Sequence, residues 1–349
     1  MLDLTESNPT RAGFSYPREI ATALADERAL RYDPSPRGLV PAREAVARYY
    51  AERGREISPE KILLTASTSE AYAYLFKLLC DPGDEILAPR PSYPLFEFLA
   101  ALESVVVRQY PLRYDGAWHV DFAELERMIS ARTRAIVVVN PNNPTGSFLK
   151  EDEWSRLREV ARGIPVLADE VFADYAFRTP LADAQGSDRN RDRQEAEFTM
   201  SGLSKIAGLP QMKLGWIVVE DARAMERLEL IADTYLSVAT PVQVALPKLL
   251  ELSKSVREQI QARTRANLDE MRRVFHNSAV QVLDVEGGWT AVLHVPRVRS
   301  EQEWTMLLLG ERDVLVQPGY FYDFESEAFL VLSLLTPPEV FAEGIRRIS

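Results

Sequence analysis

At 349 residues, with 46% apolar and 27% charged side chains, the chain has ordinary globular make-up and exceeds the size one core serves well, so two lobes are expected. Its formal net charge of −11 opposes a nucleic-acid partner, whose phosphates select basic faces. No apolar run approaches the roughly 20 residues of a membrane span, no basic-then-apolar leader opens the chain, and the lone cysteine, Cys80, excludes an internal disulfide and a cysteine-based metal site, so a cytoplasmic protein is expected.

From about residue 40 to 235, amphipathic stretches such as 41–53 and 150–162 alternate with short apolar runs at 61–66, 85–88, 104–110, 135–140, 165–169, 198–200 and 214–219. Runs rich in Val, Ile and Leu, separated by helical patterns, predict an α/β fold: a mostly parallel seven-stranded sheet sandwiched by helices. Beyond 240 the pattern changes to a long helical stretch, 241–276, then strand-like runs at 280–285, 289–295, 314–316 and 329–335. This predicts a smaller α+β domain, 1–32 with 241–349, beside a large domain, 33–240. The polar stretch 183–197 is expected to form a mobile surface loop.

Ligands of open α/β sheets sit at the carboxyl ends of strands, and the unusual polar residues fall there. Thr65-Ala-Ser67-Thr68-Ser69-Glu70 follows the first run, and its hydroxyls and helix-start N–H groups suit a phosphate. The same residues could equally be an ordinary capping box with Glu70. Tyr93, in Pro91-Ser-Tyr-Pro94, could lie flat on an aromatic ring or be simply a buried tyrosine. Asn143, in Asn140-Pro-Asn-Asn-Pro-Thr-Gly146, sits in a rigid turn and could donate to a phenolate oxygen.

Asp169 ends the apolar run 165–169; a carboxylate there needs a positive partner, such as a protonated pyridine nitrogen, a salt bridge or a helix start. Its neighbour Glu170 points the opposite way if the strand continues. In Ser201-Gly-Leu-Ser204-Lys205, Lys205 is the candidate Schiff-base amine and proton shuttle, since burial or a nearby cation disfavours the ammonium form. Ser201, Ser204 and Lys213 would add donors for a phosphate. A loop lysine taken alone is ordinarily solvated; amide, carboxylate and lysine on successive strand ends are what a pyridoxal 5′-phosphate site needs. His119, His276 and His294 are scattered, and neither a zinc-protease nor a serine-hydrolase motif occurs, so no metal is expected.

Together these motifs resemble the fold type I pyridoxal phosphate enzymes, specifically the class I/II aminotransferases. The resemblance runs from Tyr32-Asp-Pro-Ser-Pro-Arg-Gly38 to Gly287-Gly288-Trp289 and Gln317-Pro-Gly-Tyr320. It implies that Lys205 carries the cofactor, Asp169 pairs with the ring nitrogen, Asn143 with the ring oxygen, and Tyr93 stacks on the ring. It places Ser67, Thr68, Ser204 and Lys213 around the phosphate, and implies a homodimer in which Tyr32 reaches the phosphate of the partner's cofactor.

Four departures from the family pattern follow. Lys213 stands for the usual arginine. Phe172 stands for a tyrosine. Val331, in Phe329-Leu-Val-Leu-Ser333, stands where an arginine generally clamps the substrate's α-carboxylate. The first residues lead straight into Leu4-Thr-Glu-Ser-Asn-Pro9, so a dimer without an N-terminal arm is expected. Arg11 and Arg37 are then the candidates for holding the carboxylate. The expected activity is transfer of an amino group between an amino acid and a 2-oxo acid. The alternatives are C–S β-elimination or decarboxylation on the same cofactor, and, from another class, a non-catalytic cofactor-binding regulatory domain. The absence of a DNA-binding segment before Tyr32 and the negative charge oppose the last.

Overall fold

The computed structural model describes residues 1–177 and 197–349; nearly all of the stretch 183–197, expected as a loop, lies outside the described residues. The strands are β1 Leu2–Asp3, β2 Ile62–Thr65, β3 Glu85–Arg90, β4 Val106–Tyr114, β5 Trp118–Val120, β6 Thr133–Val139, β7 Val166–Asp169, β8 Phe198–Gly202, β9 Gly215–Val219, β10 Gln281–Val282, β11 Thr290–His294, β12 Val314–Leu315, β13 Gln317–Pro318 and β14 Phe329–Ser333.

Among the described residues the large sheet has eight strands, in the order β2-β9-β8-β7-β6-β3-β4-β5. Each of the seven expected runs is a strand. The eighth, β5, is a three-residue antiparallel extension of β4, too short and too mixed (Trp-His-Val) to read as a strand on its own. The β4-β3-β6-β7-β8 ladder is parallel, while β9 runs antiparallel between β8 and β2. Consequently β2, β6, β7 and β8 end at one edge.

Both faces of this sheet are covered, and β6 shows why its sequence is a continuous apolar run. Ala135 and Val137 enter a core with Leu75, Phe76, Leu167 and Met200, under the helices Thr68–Leu79 and Ala222–Tyr235. Ile136 and Val138 alternate to the other face, with Leu87, Trp154 and Leu157 under the helix Glu151–Ala161. Each fully buried Val, Leu or Phe contributes about 1.5–3 kcal/mol, so neither face tolerates a one-residue slip in register.

The smaller sheet is antiparallel, in the order β10-β11-β14-β13, and β1 pairs in parallel with β12. The lobes are joined by the 35-residue helix Thr240–Val274. Its Leu246 and Leu249 pack with Trp216 beneath β2 and β9, its Val256 and Ile260 with Phe172 and Trp289, and its Leu268 and Met271 with the small-lobe core. The N-terminal 32 residues divide likewise: Leu4 lies in the small-lobe core, whereas Ile20 packs with Trp216 and Leu203 of the large lobe. No helix among the described residues is long and apolar enough to cross a membrane, and none of their His, Cys, Asp and Glu side chains group to hold a metal.

Candidate active site

The ends of β6, β7 and β8 place their following residues around one cleft edge. Asp169 closes β7, paired with Val139 and Met200 on either side, and is only 8% exposed. Its Oδ2 accepts from the Tyr72 hydroxyl at 3.0 Å and its Oδ1 from the Val171 N–H at 3.1 Å. Burial raises its pKa above the usual carboxylate value, against the opposing pull of the Val171 N–H, the Tyr72 hydroxyl and the Lys205 charge. Glu170 turns away, with Arg55 at 3.7 Å.

Lys205 lies in the single helical turn Leu203–Ile206 directly after β8. Its backbone carbonyl accepts from the Tyr175 hydroxyl at 2.7 Å. Its Nζ lies 5.5 Å from the ring centre of Phe172 and 5.1 Å from that of Trp289; these two rings meet edge to face at 5.2 Å. No carboxylate of the described residues comes within ion-pair distance of the amine. Desolvation lowers its pKa, with Asp169 pulling the other way. An amine disposed to lose its proton, beside a carboxylate disposed to keep one, is the arrangement a nucleophilic lysine requires.

Asn143 projects from the turn after β6. Its Oδ1 accepts from Thr290 Oγ1 of β11 at 3.3 Å, which leaves Nδ2 to donate. The turn is held rigidly from both sides. Asn142 donates through Nδ2 to the Pro91 carbonyl at 3.0 Å and to Thr145 Oγ1 at 2.9 Å. The Gly146 carbonyl accepts from the N–H groups of Glu286 and Gly287. Gly146 has φ +70°, and a Cβ there would sit 2.5 Å from the Gly287 carbonyl oxygen, so the position requires glycine twice over.

At the start of the helix Thr68–Leu79, the Ser67 hydroxyl accepts from the Glu70 N–H at 3.1 Å. Glu70 in turn accepts from the Ala66 N–H at 2.6 Å and the Ser237 hydroxyl at 2.7 Å. The Ser67 hydroxyl therefore caps the helix as an acceptor and keeps its own proton to donate. The N–H groups of Thr68 and Ser69 have no intrahelical acceptor and retain the positive end of the dipole. A Cβ on Gly215 would lie 3.0 Å from the Ser67 carbonyl carbon, 3.1 Å from the Thr68 nitrogen and 3.1 Å from the Ser201 oxygen. The absence of a side chain there brings β9, with the neighbouring β8 carbonyl, against the helix start. The Ser201 hydroxyl is buried and has no hydrogen-bond partner among the described residues, a costly state for an ordinary core serine. Ser204 is half-buried nearby in sequence; Lys213 is exposed, in the left-handed conformation, with no carboxylate partner among the described residues.

The remaining candidates separate. Tyr93 is half exposed, beside Tyr322, whose carbonyl accepts from the Ser92 N–H at 3.0 Å. Tyr32 is 76% exposed and lines a crevice of about 180 Å³ with Leu64, Tyr74, Leu236 and Gln243, apart from the Asp169 and Lys205 set. Arg37 is engaged at 2.6 Å by Glu229 and at 3.2 Å by Glu60, which makes it an ion-pair partner rather than a free cation. Arg11 is exposed, and its N–H donates to the Asn8 carbonyl. Val331 is fully buried opposite Val292, packed with Trp118, Leu283 and Tyr322.

Three residues of the site escaped the sequence reading. Tyr72 is one tyrosine within an apolar helix, and its only signal was that a buried hydroxyl needs a partner. Trp289 and Thr290 belong to the small lobe, and nothing local announces that they face β7 and β8.

A family model described as aminotransferase class I and II matches residues 1–348. S-alkyl-thiohydroximate lyase SUR1 of Arabidopsis thaliana is 32% identical over 224 residues, 61% of this chain and 48% of that protein, so the chain spans about half that relative's length. Human tyrosine aminotransferase is 26% identical over an alignment covering 100% of this chain and 80% of that protein. The crystal structure of tyrosine aminotransferase from Leishmania infantum superposes with a TM-score of 0.86 at 23% identity, covering 99% of this chain and 90% of that one, a likeness of fold.

Proposed function

The chain belongs to the aminotransferase class I and II family, and on that premise we propose that it is a cytoplasmic pyridoxal 5′-phosphate-dependent aminotransferase, moving an amino group between an amino acid and a 2-oxo acid. The large domain, 33–240, would supply the cofactor site; 241–349 would form the second domain with the first residues of the chain, whereas the stretch around Ile20 packs on the large domain. The observation that carries this reading is the placement of Asp169 at the end of β7 and Lys205 in the turn after the neighbouring β8, both desolvated and each within the other's electrostatic reach.

The residues present fit the cofactor. The unpartnered Ser201 hydroxyl and the close approach of Gly215 to Ser67 and Thr68 make a cradle for an anion at a helix start. Ser204 and Lys213 complete it, with Lys213 as a point charge rather than a bidentate fork. When bound, the cofactor supplies an aldehyde that captures amines and a ring that accepts electrons from the carbon beside the captured nitrogen. Asp169 would hold a proton at the ring nitrogen, Asn143 Nδ2 would donate to the ring oxygen, and Tyr93 would cover the ring face. The Lys205 amine would hold the cofactor's aldehyde and serve as the base that moves the proton at the substrate's α carbon. Phe172 and Trp289 exclude water around that nitrogen. Tyr32, which lies outside the Asp169 and Lys205 set, would serve the site of a second copy in a homodimer.

What supports transfer over elimination or decarboxylation is the family itself, together with the full-length similarity to a tyrosine aminotransferase. The test is a screen of amino acids against cofactor-loaded protein, followed by absorbance. The right donor should convert the cofactor to its amine form and a 2-oxo acid should restore it. Lys205→Ala should lose the bound-lysine absorbance and lower turnover by about a thousandfold or more with the fold intact. If no amino acid gives the amine form, transamination is wrong.

A further inference from the structure

Tyr72 is one turn into the helix whose start forms the anion cradle. Its ring is 3% exposed, held edge to face by Phe96 at 5.4 Å and at a tilt by Phe76 at 5.9 Å. The hydroxyl donates to Asp169 Oδ2, while the Val171 N–H occupies Oδ1. Each carboxylate oxygen thus has one protein donor, which fixes the plane of the group and leaves one lone pair on each oxygen free. Burial and the adjacent Asp169 carboxylate keep the Tyr72 phenol protonated far above neutral pH, so it acts as a permanent donor. A phenylalanine would fill the same volume, so packing does not explain the hydroxyl.

We propose that Tyr72 is a positioning residue for Asp169, aiming its free lone pair at the cofactor's ring nitrogen, so that the helix Thr68–Leu79 aligns both ends of the cofactor at once. Its first turn meets the phosphate and its second orients the acid. The proposal rests on the cofactor assignment above. Removing the hydroxyl frees Oδ2 to rotate and makes the carboxylate a stronger base.

The experiment is cofactor titration of apo-protein by absorbance, with a pH titration of the bound cofactor, for wild type, Tyr72→Phe and Phe96→Leu. Tyr72→Phe should bind pyridoxal phosphate about tenfold more weakly and displace the spectral pH profile by about half a unit or more. Its KM for the amino donor should stay within about twofold while kcat falls. Phe96→Leu, which loosens the packing but keeps the hydroxyl, should leave the profile in place. In an Asp169→Asn background, Tyr72→Phe should have no further effect on cofactor affinity. Wild-type affinity and profile in Tyr72→Phe would overturn the role of Tyr72 alone, whereas a wild type that takes up no cofactor would overturn the functional reading beneath it. Should Tyr72→Phe not fold, 3-fluorotyrosine at position 72 keeps the ring and strengthens the donor. It should move the profile in the opposite sense, and an unmoved profile overturns the proposal.

Discussion

Two walls face each other across the cleft, and they handle burial in opposite ways. The large-lobe wall, at the ends of β6, β7 and β8, buries ionisable groups and gives them partners: Asp169 has Tyr72 and the Val171 N–H, and Lys205 has the faces of two aromatic rings. The small-lobe wall buries almost no polarity. Val292, Val331 and Leu283 are apolar residues that pack against Trp118 of β5 in the large lobe, and the hydroxyl of Thr290 is the contact that reaches Asn143. The chemistry is thus concentrated on one side, and the other side shapes and dries it. Burial of the acid and of the amine, the latter beside the rings of Phe172 and Trp289, is what shifts both pKa values.

Four substitutions test this division. Asp169→Ala is expected to lower kcat about a hundredfold or more, because the ring nitrogen loses the group that keeps it protonated. A near wild-type rate would remove the large-lobe wall's claim to the chemistry. Next is Val331→Arg, which puts a cation into the apolar wall. An unpaired buried charge costs about 3–5 kcal/mol, so thermal unfolding should fall by several degrees. A variant as stable as wild type, and binding amino acids more tightly, would mean that this wall is open to a carboxylate.

Lys205→Met sharpens the comparison through stability. The folded-state pKa of Lys205 is lowered by burial, so the folded protein is penalised where the amine is protonated. That penalty fades as pH rises through the folded value toward 10.5. The cofactor-free variant should therefore be more stable than wild type at neutral pH by about 1 kcal/mol. The gap should close in alkaline solution, as measured by denaturant unfolding across pH. The smallest effect is expected of Thr290→Val, which removes the cross-cleft contact to Asn143 and the bond to the Pro144 carbonyl at 3.0 Å. Loss of about 1 kcal/mol should reduce kcat several-fold with little change in unfolding temperature. An unchanged kcat would mean that the amide needs no help from the small lobe.

Much of this was legible in the chain. Seven apolar runs, each ended by a polar residue or a proline, were enough to anticipate the mostly parallel sheet, because period-two burial on both faces leaves an unbroken hydrophobic stretch. Asn143, Asp169 and Lys205 stood out because polar residues at the ends of such stretches have no packing reason to be there. The short β5 was not legible, since three residues of mixed polarity become a strand only because β4 is already beside them. Arg37 looked available in the sequence and is bound by Glu229 and Glu60, a pairing that spans 192 positions in the first case.

Local pattern determined which segments are strands and helices, where the polar residues interrupt them, and therefore which three side chains could carry chemistry. Tertiary structure alone decided who meets them: Tyr72 at Asp169 from 97 residues away, Thr290 at Asn143 from 147, and Trp289 over Lys205. The physical reason is that strand and helix periodicities are set by neighbours within a turn or two. The partner of a buried hydrogen bond is set by the order of strands in the sheet and by the closure of one lobe upon the other.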